Sequence, residues 1–215
     1  MSIDPHADEP IRTAGAPPQA AEAAVVLLHG RGDSPEGILR LVDDVYRRGV
    51  LYVAPAAAGR VWYPGGFAEP VTERREAFVE SALGQVERAL ALAAETGIAP
   101  DRTVLAGFSQ GAAVAAEYAT RRPERFGGLG LLAGGLLGPT DALDPRDGSL
   151  AGTPAFLGVG DEDPYVGPAH VAATADVLRA MGAEVRAETY PDLGHAVGDG
   201  EIAGLNDLVG GVAPE

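Results

Sequence analysis

Ser109 stands in Gly107-Phe108-Ser109-Gln110-Gly111, a Gly-x-Ser-x-Gly pattern that marks a serine able to act as a nucleophile. The pattern has chemical meaning in one setting, a sharp turn from a strand into a helix, and the flanking residues supply both elements. Thr103-Val104-Leu105-Ala106 is a β-branched and aliphatic run, and Ala112, Ala113, Val114, Ala115 and Ala116 begin a helix of small residues. The glycines have a steric reason, because the helix starts almost against the strand and a side chain at either position collides. A serine hydroxyl is a poor nucleophile at neutral pH. It needs a base within hydrogen-bond reach and a third group to orient that base.

The chain offers four histidines. His6 lies in an N-terminal stretch without periodicity, His29 ends the first predicted strand, and His170 falls in the first turn of a helix. His195 follows the last predicted strand, in Tyr190-Pro191-Asp192-Leu193-Gly194-His195. The carboxyl end of a parallel sheet presents catalytic groups at such a place, so His195 is the expected base. For the orienting acid, Asp163 in Gly160-Asp161-Glu162-Asp163-Pro164 follows the strand ending at Val159; Asp161 competes with it, and Asp192 does so more weakly. An aspartate before proline is commonly a turn residue, and a loop histidine is commonly only solvated. Placed together at three strand ends, they fit one mechanism, with the chain order Ser109, Asp163, His195 of α/β-hydrolase scaffolds. The backbone N–H groups of Gln110, at the positive end of its helix, and of Arg31, in His29-Gly30-Arg31-Gly32, are the expected donors to an oxyanion. No metal or cofactor is called for.

The elements that must position these groups are readable in outline. Val25–Leu28 is the first buried strand; a helix capped by Ser34 follows, with Pro35 at its first position, Ile38, Leu41, Val42 and Val45 on one face, and Arg47-Arg48-Gly49 at its end. Val50–Ala54 is the second strand. A loop of about 17 residues then carries Trp62, Tyr63, Pro64, Gly65, Gly66 and Phe67. Thr72 starts the longest helix, whose Val79, Leu83, Val86 and Leu90 recur at spacings of 4, 3 and 4 until Gly97 and Pro100 stop it. Further strands are expected at 103–107, 128–133, 155–159 and 185–190, a helix from Pro168 with Val171, Thr174, Leu178 and Met181 inward, and a final helix holding Ile202, Leu205 and Val209. This alternation predicts a single-domain α/β fold, a mostly parallel central sheet with helices on both faces. The domain is expected over residues 21–215, after a poorly ordered lead-in at 1–20, with no insertion large enough for a lid. An open, shallow site follows, suited to short or medium acyl chains, with Trp62, Tyr63, Phe67, Phe108, Leu136 and Val166 as its expected walls.

Composition narrows the class. A chain of 215 residues, 46% of them hydrophobic, suits one well-buried domain. The absence of cysteine excludes a disulfide framework, a thiolate metal site and a cysteine nucleophile. All 16 basic residues are arginine, and 31 acidic residues leave a net charge of −15, which repels nucleic acid. The acidity fits adaptation to high salt or an ordinary soluble acidic protein from an arginine- and alanine-favouring genome; unfolding measured against molar salt separates them. No run approaches about 18 apolar residues, and Met1-Ser2-Ile3-Asp4-Pro5-His6 has neither a basic nor an apolar region, so the expected location is cytoplasmic. The oligomeric state stays open, a homodimer being one option.

Leu28-His29-Gly30-Arg31-Gly32-Asp33-Ser34, Gly107 to Ala112, Gly160-Asp161-Glu162-Asp163-Pro164-Tyr165-Val166 and Tyr190 to His195 together resemble the carboxylesterase/phospholipase family of small α/β hydrolases. That family includes bacterial carboxylesterases and eukaryotic acyl-protein thioesterases. The likeness spans residues 25 to 210, and Gly-Phe-Ser-Gln-Gly is far more specific than the bare pentapeptide pattern. It implies hydrolysis of carboxylic or thio esters without metal or cofactor, and a triad acid at the second aspartate of Gly-Asp-x-Asp, hence Asp163. Two departures stand out. Gly167 occupies a position where proline is common, implying a looser loop, and Trp62-Tyr63-Pro64 marks a subgroup whose ester the resemblance leaves open. Esterase, thioesterase and lysophospholipase activities all share this machinery. Two other classes remain: a small-molecule-binding protein with an idle triad, which would be inert to fluorophosphonate, and a metal-dependent oxygenase or lyase, for which His6, His29 and His170 make a scattered ligand set.

Overall fold

Aliphatic runs become strands wherever both faces of the sheet are covered. The computed structural model describes residues 4–214. Its strands are β1 (Ile11–Gly15), β2 (Ala23–Leu28), β3 (Val50–Pro55), β4 (Thr103–Phe108), β5 (Gly128–Leu132), β6 (Pro154–Gly160) and β7 (Glu184–Tyr190). They form one sheet in the order β1-β3-β2-β4-β5-β6-β7, with β1 antiparallel to β3 and every other pair parallel. The helices are α1 (Pro35–Ile38), α2 (Val42–Val45), α3 (Glu73–Ala94), α4 (Gln110–Arg121), α5 (Pro168–Ala180) and α6 (Asp199–Val212).

Successive strand residues point to opposite faces, and the core divides accordingly. On β2, Val26 and Leu28 pack with Val79 and Leu83 of α3, Ala112 of α4 and Val171 of α5 in one cluster. Val25 and Leu27 join Ile38, Val42, Leu205 and Val209 on the other side. The six parallel strands β2 to β7 end at one rim, and the loops leaving β2, β4, β6 and β7 carry Arg31, Ser109, Asp163 and His195 respectively.

Two sequence expectations are corrected. Residues 4–20 are no loose lead-in: Ile11 to Gly15 pair with Pro55 to Leu51 as an antiparallel edge strand, and His6 is buried. Proline- and alanine-rich composition hides this, because an edge strand half exposed to water needs few large apolar residues. The helix expected from Ser34 is broken into α1 and α2 by a 3₁₀ turn at Leu39–Leu41. Ser34 does cap it, its Oγ accepting the Gly37 N–H at 3.2 Å, and Ile38, Val42 and Val45 are buried as expected. Pro35, Gly37 and the β-branched residues carry little helix propensity, so packing against the sheet dictates the path.

Candidate active site

Ser109 joins β4 to α4 with φ 54° and ψ −117°, a backbone conformation costly for a residue with a side chain. Its N–H donates to the Leu132 carbonyl at 2.9 Å, which ties the turn to β5. Both flanking glycines are forced. A Cβ on Gly107 would overlap the Gly111 backbone, and one on Gly111 would overlap the Leu28 carbonyl.

His195 reaches this turn from the loop after β7. Its Nε2 lies 2.8 Å from Ser109 Oγ, and its Nδ1 lies 2.7 Å from Asp163 Oδ2. A carboxylate can only accept, so Nδ1–H donates to Asp163 and leaves Nε2 to accept the serine proton. The second Asp163 oxygen accepts the N–H groups of Tyr165 at 2.8 Å and Val166 at 3.0 Å, which fixes the carboxylate in place. Ser109, His195 and Asp163 are thus brought together. Asp161 and Asp192 are exposed and belong to turns outside this chain of hydrogen bonds.

The loop after β2 completes the rim. Gly32 and Asp33 give their N–H groups to Arg60 and Gly30, whereas the N–H groups of Arg31 and Gln110 have no backbone acceptor among the described residues. Both residues border a pocket of about 420 Å³ that also contains Ser109 and His195. Their side chains do work that composition does not announce. Gln110 Oε1 accepts the Trp62 N–H at 3.1 Å and its Nε2 donates to the Tyr63 carbonyl at 2.9 Å, while Arg31 donates to the carbonyls of Tyr63 and Gly65 at 3.2 and 2.6 Å. The aromatic loop is clasped from two sides.

Of the six expected walls, Tyr63, Phe67, Phe108 and Val166 line the pocket. Trp62 and Leu136 do not. Trp62 is fully buried, its Nε1–H donating to the His29 carbonyl at 2.8 Å and its indole lying 4.9 Å from the His29 ring. Leu136 is held behind the wall, its N–H on Thr174 Oγ1 at 3.1 Å and its carbonyl accepting from His170 Nε2 at 2.7 Å. Tyr165 is the missed wall, 72% exposed and edge-on to the His195 ring at 5.0 Å. Its place two residues after Asp163, on the loop that must bring the acid to the site, was the available signal.

The sequence model of the phospholipase/carboxylesterase family matches residues 11–208. The chain belongs to this family. A phospholipase/carboxylesterase from Dyadobacter fermentans has the same fold with a TM-score of 0.88 at 33% identity, covering 97% of this chain and 99% of that one. Acyl-protein thioesterase 1 of Neurospora crassa is 28% identical over 209 residues, 87% of this chain and 85% of its own. Esterase YpfH of Escherichia coli is 28% identical over 197 residues, 84% and 79% respectively.

The other three histidines of this phospholipase/carboxylesterase family member are braces. His6 Nε2–H donates to the Trp62 carbonyl at 2.9 Å and its Nδ1 accepts the Ala58 N–H at 3.0 Å. His29 Nδ1–H donates to the Gly30 carbonyl at 2.8 Å and its Nε2 accepts the Ala57 N–H at 3.2 Å. His170 Nε2–H donates to Leu136, and its Nδ1 accepts the Thr140 hydroxyl at 3.0 Å. Each ring therefore needs to stay neutral, and burial lowers each pKa below the ordinary 6.5. Below that value the unfolded chain binds protons that the folded chain refuses, so stability is full above about pH 6.5 and declines as pH falls. Chemical denaturation midpoints should drop between pH 7 and pH 5, and His6→Gln should flatten that decline; an equally steep decline in the variant would contradict it.

Proposed function

We propose that this chain hydrolyses carboxylic and thio esters of short to medium acyl chains through an acyl-enzyme on Ser109. The continuous hydrogen-bonded path from Ser109 Oγ through His195 to Asp163, at 2.8 and 2.7 Å, carries the reading. Ser109 Oγ attacks the acyl carbon as its proton passes to His195 Nε2, and Asp163 holds the tautomer and stabilises the imidazolium. The N–H groups of Arg31, on the loop after β2, and of Gln110, at the start of α4, receive the oxyanion. The imidazolium then protonates the leaving alkoxide or thiolate. Water attacks the acyl-enzyme with the same base and restores Ser109.

The aromatic pocket of about 420 Å³ supports a small acyl group, and membership beside proteins named esterase and acyl-protein thioesterase supports both ester types. A ladder of p-nitrophenyl esters from acetate to decanoate tests this. The expected profile peaks at short or medium chains and then declines; activity that climbs to the longest chain would contradict it. Tyr165→Ala, which removes an exposed ring from the pocket edge, should raise KM for the preferred ester about threefold to tenfold with kcat little changed, as expected for lost uniform binding. An unchanged KM would remove Tyr165 from the binding surface.

The same reading takes a small-molecule ester as partner, excludes nucleic acid on the net charge of −15, and sets the protein in the cytoplasm. Among the described residues no helix is long and apolar enough to cross a membrane. A homodimer is distinguished from a monomer by light scattering.

A further inference from the structure

Beneath the site lies a second buried acid that the acyl-transfer steps do not use. Glu201, in the first turn of α6 and six residues after His195, is 0% exposed. Its Oε2 accepts the Gly198 N–H at 3.0 Å, which fastens the end of the His195 loop to the helix. Its Oε1 has no hydrogen-bond partner. The side chain lies across β6 at Gly158, where an added Cβ would come within 2.5 Å of Glu201 Cγ. Position 158 is therefore glycine so that a carboxyl can reach the strand ends under the site.

Capping alone does not explain this arrangement. A neutral amide would accept the Gly198 N–H equally well, whereas a fully buried carboxyl with a bare oxygen is costly. Asp163, on the loop after β6, and His195, on the loop after β7, are the titratable side chains whose charges act on Glu201. Tyr190 of β7 packs against Gly200 and donates its hydroxyl to Glu188 at 2.6 Å; Asp199, on the same helix, is exposed. Of these groups only the His195 imidazole can become positive. Burial, the largest influence, and Asp163 raise the pKa of Glu201, while the N–H groups of Gly198 and Ala133, and then His195, lower it.

We propose that Glu201 is a positioning residue for the Ser109, His195 and Asp163 array: it anchors the His195 loop from below and supplies a second negative charge to the imidazolium formed during acyl transfer. This rests on His195 being the base. Asp163 alone orients the ring; Glu201 adds charge from within the protein, where screening by solvent is weak.

The test is titration of the His195 imidazole by NMR in wild type and Glu201→Gln, the resonance being assigned with His195→Gln. Glutamine keeps the bond to Gly198 and removes the charge. The His195 titration should move to lower pH in the variant, with kcat lowered about threefold or more at unchanged KM. The acidic limb of the rate profile should move down by the same amount. Coincident titrations in the two proteins would overturn the proposal, because a purely structural cap would not move them. Should the glutamine variant fail to fold, the reciprocal measurement decides: the Glu201 carboxyl carbon should titrate higher in His195→Gln than in wild type, and no change would be equally fatal. Neither titration requires turnover. Loss of the acyl-transfer reading through an active Ser109→Ala variant is thus distinguishable from loss of this one.

Discussion

Ser109→Ala lowers ester hydrolysis by about a thousandfold or more while the thermal unfolding midpoint stays within a few degrees of wild type. The expectation follows from geometry. Among the described residues only the Ser109 hydroxyl lies within hydrogen-bond distance of His195 Nε2, and without it the base has no proton to take on the route to an acyl-enzyme. The serine side chain itself is small and reaches into the pocket, so its loss leaves no large cavity in the core. Its φ of 54° is retained by the surrounding turn, and alanine tolerates that conformation no better and no worse than serine. The residual rate, if measured, reports what the Arg31 and Gln110 N–H groups achieve with water alone. Full activity in the alanine variant, with correct folding by circular dichroism, would remove Ser109 from the mechanism.

Gly111→Ala is the largest expected effect on stability. Alanine normally stabilises a helix position by about 0.5–1 kcal/mol over glycine, and Gly111 is the second residue of α4. Here the sign reverses. The added methyl would overlap the Leu28 carbonyl, a backbone atom of the central strand β2 that cannot rotate away. Separating α4 from β2 to make room disturbs the contacts of Ala112 and Ala113 with the core on that face. The cost is set by backbone displacement and should reach at least about 3 kcal/mol, seen as a lower urea midpoint or as insoluble protein. A variant as stable as wild type would show that helix and strand are not held as close as the turn requires.

The candidate catalytic residues were legible because each follows a strand that the sequence pattern exposes, buried for β4 and β6 and at the open edge of the sheet for β7. Thr103–Gly107 led to Ser109, Ala155–Val159 to Asp163, and Val185–Tyr190 to His195, with the strands of the structure starting or ending within a residue of those bounds. The choice of Asp163 over Asp161 needed the family likeness, since both follow the same strand. What periodicity could not deliver was the side of a loop on which an aromatic residue lies. Trp62 and Tyr63 are adjacent, yet one braces His29 from inside and the other lines the pocket. Nor could composition expose β1 or the burial of His6, because an edge strand and a pinned turn are satisfied by hydrogen bonds to distant partners such as Ser81 and Trp62. Glu201 left one trace. A glycine inside the otherwise bulky strand Ala155-Phe156-Leu157-Gly158-Val159 signals close approach of another group.

The most direct test is to locate the adduct of a fluorophosphonate probe by peptide mass spectrometry in wild type and in His195→Ala. The account predicts a single adduct on Ser109 in wild type and labelling slowed at least about a hundredfold in the variant, because the hydroxyl then lacks its base. An adduct on another residue, or labelling of Ser109 at the same rate without His195, would contradict it.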